Sequence, residues 1–252
     1  MNNGIVYVNV GERDNTILEN SLKTVRYFQP EIPITIYSDI PLKNFEGLEN
    51  IDMKYFERVK YTDCGDREEN RNSSLFRLKA LKESKYENTL YLDNDIFITH
   101  KGFFEGFKIA ENFGITMVEN PRYFIKTFLP IPICVQYNLG DLDIGADVTD
   151  YDREVTKDMP RFMMALNMGV MFYNKKSEKF LDELIWEQEN NPSRGQAGLY
   201  RTIWKTKTTP YALPISWLVC RKHVGIEHPL ALHVGHSEVM DWWVKIQGEI
   251  YT

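Results

Sequence analysis

Two carboxylates, Asp93 and Asp95, stand at i and i+2 in the segment 88–99, NTLYLDNDIFIT. One apolar run, 90–92, precedes them and another, 96–98, follows. In an extended chain residues two apart share a face, so both carboxylates can point at one spot. At the end of a buried strand such a pair can hold one hard divalent cation, Mg²⁺ or Mn²⁺, and leave positions open for substrate phosphates. The chemistry this serves is the departure of a diphosphate, whose growing charge needs a positive partner, as when a nucleotide-sugar is split. Asp-Asn-Asp is also ordinary turn composition, and a strand ending in a polar cap is the competing reading of the same residues.

A sheet has to carry that pair. Residues 4–10 (GIVYVNV) read as a β-branched strand. Asp14 or Asn15 caps a helix over 16–28, where Ile17, Leu18, Leu22, Val25 and Phe28 keep helical spacing, and Pro30 ends it. A second strand over 34–37 follows, and this strand–helix–strand order predicts a parallel pair joined by a right-handed crossover. A short strand is expected at 53–56. A helix capped by Ser73 or Ser74 runs to Lys82 and turns Leu75, Leu78 and Leu81 inward, immediately before the Asp-x-Asp strand. Downstream come a short helix (103–107), a strand (114–118), a polar turn feeding a buried strand (166–173, LNMGVMFY) and two helices (177–189 and 196–205). Strands alternating with helices predict a single α/β domain over 1–252, with a mostly parallel central sheet flanked by helices.

Two segments break the pattern. Residues 120–161 hold Pro121, Pro130 and Pro132, the aromatics Tyr123, Phe124 and Phe128, and an acidic run through Asp141, Asp143, Asp147, Asp150 and Asp152. A loop of this length predicts a lid or acceptor-binding element over 120–160. It is no calcium loop, because Gly145 falls at the fifth position and no Glu at the twelfth. Residues 211–252 read as irregular and hold three of the five tryptophans and four of the five histidines; they are expected to close over the donor site.

Composition narrows the function classes. With 43% hydrophobic residues the chain can build a sizeable core, and a net charge of −6 gives no basic footprint for nucleic acid. A phosphate-bearing substrate therefore needs a bound cation or local Arg and Lys to reverse the field near the site. No apolar stretch approaches the roughly 18 residues of a membrane span. The start, Met1-Asn2-Asn3-Gly4, has neither the basic nor the apolar region of a signal peptide. Three widely spaced cysteines, Cys64, Cys134 and Cys220, read as free thiols. A cytoplasmic protein is expected.

Taken in order, these segments resemble the GT-A nucleotide-sugar glycosyltransferases, most closely glycosyltransferase family 8, the glycogenin-like group. The matching residues are Ser21-Leu22 on the first helix, Arg77-Leu78 before the metal motif, and the motif itself, YLDND. Asn167-Met168-Gly169-Val170, Gln196, Leu213-Pro214-Ile215-Ser216-Trp217 and His233 follow in the family's order. The resemblance covers nearly the whole chain and implies a GT-A (Rossmann-like) fold. It implies transfer of a hexose from a UDP-sugar, UDP-glucose or UDP-galactose first, with retention of configuration.

By that resemblance Asp93, Asp95 and His233 are the Mn²⁺ (or Mg²⁺) ligands, with Asp93 also beside the donor ribose. Val8 and Asn9 fall where the uracil is held, and Arg77, Asn94 and His236 contact the donor. Asn167 and Gly169 line the sugar pocket, and Gln196 sits beside the anomeric carbon. The chain departs from the family at five places: Gly195 precedes Gln196 where an Asp is usual, Gly235 comes one residue early, the diphosphate-gripping Lys is missing, Asp241-Trp242 replaces Pro-Trp, and Leu218 stands where an Asn usually follows Trp217. His236, Lys222 and Lys245 are the candidates to replace that Lys. The acceptor, a glycan, protein or small molecule, is not named by any residue, and Trp242-Trp243 serve an acceptor, the core or a homodimer contact. Two other readings stand beside this one: a non-catalytic or hydrolytic nucleotide-sugar-binding protein, and a haloacid-dehalogenase-type phosphatase, whose Asp-x-Asp normally lies near the chain start.

Overall fold

The computed structural model describes residues 2–11, 15–42, 45, 47–60, 68–119, 151, 166–191, 197–219, 226–235 and 237–250. The helix of the first crossover, α1 (Asn15–Phe28), links β1 (Asn3–Asn9) to β2 (Ile34–Ser38), and the two strands pair in parallel as expected. β3 (Ile51–Tyr55) extends the sheet on that side; α2 (Glu68–Lys82) then leads into β4 (Asn88–Leu92). Past the two carboxylates the chain forms β5 (Ile96–Ile98), a 3₁₀ turn (Lys101–Glu105), α3 (Gly106–Phe113) and β6 (Ile115–Glu119). The second half supplies β7 (Leu166–Asn174), α4 (Glu178–Asn190), α5 (Ala197–Thr206), β8 (Tyr211–Leu213), β9 (Ala231–His233) and α6 (Ser237–Ile250).

Seven strands form the main sheet in the order β3-β2-β1-β4-β7-β6-β8, and only β7 runs against the others. Alternate residues of each strand feed two apolar layers. Val6, Val8, Val10 and Tyr91 face α2, α4 and α5; Ile5, Tyr7, Leu90 and Leu92 face α1 and α3. β5 leaves the main sheet and pairs antiparallel with β9. A small third core of Phe97, Val219, Leu232, Val234, Val239 and Trp243 packs this pair against α6.

Several expectations need correction. α2 starts at Glu68 rather than at Ser73 or Ser74. Its second turn is held by tertiary bonds: the buried Asn72 amide accepts from Val59 N (2.9 Å) and donates to Val59 O (3.0 Å). Asn167 lies within a fully buried nine-residue strand, not a turn. The segment 211–252 is not irregular. It holds two strands, a 3₁₀ turn (Ile215–Trp217) and a 14-residue helix. Three-residue strands are too short to show periodicity, and β9 is recruited by pairing with β5, a contact far away in sequence. The expected loop at 120–160 lies outside the described residues except for Tyr151.

Tyr151 marks a buried charge network that braces α4 on α5. Glu187 accepts from Arg201 Nε (2.6 Å), from Tyr151 OH (2.8 Å) and from Lys205 Nζ (3.0 Å), with Arg201 and Glu187 almost wholly buried. Removing one partner of such a pair strands the other charge in the interior. Glu187→Ala is therefore expected to destabilise the fold by about 3–5 kcal/mol, read as a lower denaturant midpoint at unchanged slope.

Candidate functional site

The site is built where the strand order reverses. β1 and β4 are sheet neighbours, yet the chain leaves β1 toward β2 on one side and leaves β4 toward β6, beyond β7, on the other. In open α/β sheets the crevice beyond the carboxyl ends of such strands is where ligands bind. Asn9 closes β1, and Asp93 follows the last residue of β4. Asn94 Nδ2 donates to Asn9 Oδ1 (2.9 Å), so one amide pair spans the gap between the two strand ends.

Backbone bonds fix the Asp-Asn-Asp turn. Asp93 N donates to Gly169 O (2.8 Å), Ile96 N to Asp93 O (3.1 Å), and Val234 N to Asp95 O (2.8 Å). Since Ile96 pairs with His233 across β5 and β9, the histidine stands beside Asp95, with His233 Nε2 3.1 Å from Asp95 Oδ2. α1 holds β5 in place from below. Ser21 Oγ donates to Ile96 O (2.5 Å), and Ile98 N donates to Thr24 Oγ1 (3.0 Å).

Asp93, Asp95 and His233 each bring one ligand atom, and those atoms lie within 4.8 Å of one another. All three side chains are half-buried. Two glycines let the backbone pass close against these carboxylates. A Cβ on Gly169 would lie 2.6 Å from Asp93 Oδ2, and one on Gly235 would lie 2.3 Å from Asp95 Oδ2. Two carboxylates and an imidazole with their ligand atoms this close suit a divalent cation, with oxygen ligands for Mg²⁺ or Mn²⁺ and a nitrogen that favours Mn²⁺.

The β7 strand bulges at this point. The β6–β7 register jumps between Met117, opposite Met171, and Val118, opposite Asn167. Gly169 N, displaced from the ladder, donates to Asn167 Oδ1 (2.7 Å). Asn167 and Gly169 thus act together: one side chain satisfies the bulge, and the glycine carbonyl then receives Asp93 N. Arg77, on α2, donates through Nη2 to Ser74 Oγ (2.9 Å) and reaches Met168 O through Nη1 (3.5 Å), which holds its guanidinium beside this bulge.

The structure thus brings Asp93, Asn94, Asp95, Asn9, His233, Asn167, Gly169 and Arg77 to one strand-end region. Val8 is committed to the core with Val6 and Val10. Gln196 and His236 lie outside the described residues, as does Lys222. Sequence reasoning missed Tyr91, whose hydroxyl donates to Asp93 Oδ1 (2.5 Å). Burial first, and then the charge of Asp93, push the Tyr91 phenol well above its ordinary range, so it stays protonated as a donor. The i, i+2 rule that paired the two aspartates also puts Tyr91 on their face. It missed Gly235 as well, which had registered only as a displaced family glycine.

No protein-family model matches the chain, and no curated protein matches its sequence. Its fold has counterparts among solved structures. The galactosyltransferase LgtC, solved with donor and acceptor sugar analogues, aligns over 99% of this chain and 96% of its own at a TM-score of 0.55 and 11% identity. GlyE of Streptococcus pneumoniae TIGR4 aligns over 94% of this chain at 0.54 and 13% identity, and the WbbM bifunctional glycosyltransferase over 94% at 0.55 and 11%. The chain spans 55% of the length of GlyE and 46% of that of WbbM. The likeness is one of fold, and the α/β fold expected from the sequence is the fold observed.

Gly235 gives the site its most direct mechanical test. Gly235→Ala is expected to drive the Asp95 carboxylate aside and weaken divalent-cation binding at this site by about tenfold or more. Calorimetric titration measures the affinity, with the melting temperature unchanged because residue 235 is exposed.

Proposed function

We propose that this chain is a metal-dependent glycosyltransferase that moves a hexose from a UDP-sugar to an acceptor with retention of configuration. The observation that carries the reading is the convergence of Asp93, Asp95 and His233 at the strand-order reversal of the sheet. The fold shared with solved glycosyltransferases supports it. A divalent cation held by these three residues would supply Lewis-acid stabilisation of a leaving diphosphate. UDP-glucose and UDP-galactose are the donors this reading favours, and Mn²⁺ the metal.

The protein's own groups divide the remaining work. Arg77, oriented by Ser74 and directed at the β7 bulge, presents a fixed positive charge to the donor near the two aspartates. Asn9 and Asn94, tied to one another, keep the floor of the cleft rigid where the nucleoside would lie. Asn167 holds the bulge so that Gly169 leaves backbone, and no side chain, against the sugar. Gln196 would flank the anomeric carbon, and residues 120–160 and 211–252 would shield the transfer from water, favouring transfer over hydrolysis. The acceptor is an unidentified glycan, protein or small molecule.

Calorimetry with UDP-glucose, UDP-galactose, UDP-N-acetylglucosamine and GDP-mannose, in Mn²⁺ and then in chelator, tests the donor. One UDP-sugar is expected to bind in metal and to be lost in chelator. Asp93→Ala and Asp95→Ala are each expected to reduce transfer about a thousandfold or more, equivalent to roughly 4 kcal/mol of transition-state stabilisation. Full activity in either variant would defeat the mechanism. Tight donor binding without turnover would favour a nucleotide-sugar-binding protein instead.

A further inference from the structure

We propose that Tyr91 is a positioning residue that confines Asp93 to a single ligating oxygen, so that the site selects a small octahedral cation over calcium. The inference rests on the reading of Asp93, Asp95 and His233 as a metal centre.

Tyr91 lies two residues before Asp93 on β4, and its hydroxyl donates to Asp93 Oδ1 at 2.5 Å. The ring is 1% exposed and belongs to the apolar layer formed with Val6, Val8, Leu75 and Leu78. A phenol embedded in that layer cannot follow a rotating carboxylate, so the bond fixes the carboxylate plane as well as one oxygen. The other oxygen, Oδ2, packs against Gly169, 2.6 Å from where a Cβ there would stand. The Asp95 Oδ2 is likewise packed against Gly235 and lies beside His233 Nε2. With Oδ1 of Asp93 engaged by the Tyr91 hydroxyl, Oδ2 is the oxygen left to ligate.

Ion chemistry turns this into selectivity. Ca²⁺ takes six to eight oxygens at long distances and readily uses both oxygens of one carboxylate, whereas Mg²⁺ and metals of its size take six ligands in near-octahedral geometry. Holding Asp93 to one oxygen removes a bidentate ligand that calcium would exploit and costs an octahedral ion nothing. The nitrogen of His233 adds a further bias toward Mn²⁺ over Ca²⁺. A purely structural Tyr91 would steady the end of β4 and leave the ratio of ion affinities where it was.

The test uses the whole chain without nucleotide, with Mn²⁺ and Ca²⁺ titrated separately by calorimetry. Tyr91→Phe is expected to weaken Mn²⁺ binding about tenfold to a hundredfold, the range seen when an outer partner of a ligand is lost. Ca²⁺ affinity should hold or rise, so the Mn²⁺ to Ca²⁺ affinity ratio falls at least about tenfold on the same basis. Tyr86→Phe removes another buried hydroxyl, bonded to Thr35 at 3.0 Å beside the start of β1, and must leave the ratio unchanged. Tyr91→Met, a second variant without the hydroxyl, must move the ratio in the same direction as Tyr91→Phe. An unchanged ratio in the folded Tyr91 variants overturns the inference while the metal reading stands. Wild-type protein that binds neither ion overturns both.

Discussion

Two negative carboxylates are held with ligand atoms inside 4.8 Å of one another, and the rest of the structure is arranged around that crowding. At about 5 Å and an effective dielectric near 20 their mutual repulsion is roughly 3 kcal/mol. Left to themselves, the side chains of Asp93 and Asp95 would swing apart into solvent. Among what opposes this are backbone bonds from Asp93 N to Gly169 O and from Val234 N to Asp95 O, with hydroxyl bonds from α1 to β5 beneath. Each is worth about 1 kcal/mol net, and together they hold the turn in place.

Placement follows from topology. A single continuous sheet could not bring His233 to Asp95, because the chain between them crosses most of the fold. The two-stranded β5–β9 unit solves this by leaving the main sheet directly after the second aspartate and recruiting a strand from near the C-terminus. Its own small core, with Trp243 edge-on to Phe97 at 4.9 Å between ring centres, anchors that strand to α6. His233 is therefore brought to Asp95, 138 residues away in sequence, by a register of three residue pairs. A one-residue slip there would turn His233 to the opposite face.

The parts of this arrangement that were legible in the sequence are those governed by short-range rules. The β1–α1–β2 unit announced itself through β-branched residues and helical spacing, and Asp93 and Asp95 through their i, i+2 interval. Ser21, by contrast, was visible only as a matched family position. Its role, a buried hydroxyl bonded to Ile96 O and to the Tyr7 phenol, depends on a strand 75 residues away. The start of α2 was misplaced because Asn72 is held by Val59, a tertiary bond that outweighs the local capping signal of Ser73 and Ser74. β8 and β9 escaped notice because three residues cannot display a period. Tyr91 is a different kind of omission, since the rule that exposes it had already been applied to its neighbours.

The displaced glycine illustrates how geometry, rather than pattern, assigns a role. Set against the family spacing, Gly235 arrives one residue early, and the shift looks like erosion of a motif. In the fold, residue 235 follows Val234, whose N–H is spent on Asp95 O, and so its α-carbon is delivered against the Asp95 carboxylate whatever the residue type. Any side chain there would begin 2.3 Å from Asp95 Oδ2. Glycine there lets the turn after β9 pass directly against the Asp95 carboxylate. Gly169 does the same at Asp93, through the β7 bulge that Asn167 stabilises. Two glycines distant in sequence, one within β7 and one in the turn after β9, thus let the backbone pass close to both carboxylates. Backbone pressed against both side chains limits how either can turn, a constraint that a polar turn capping a strand does not need.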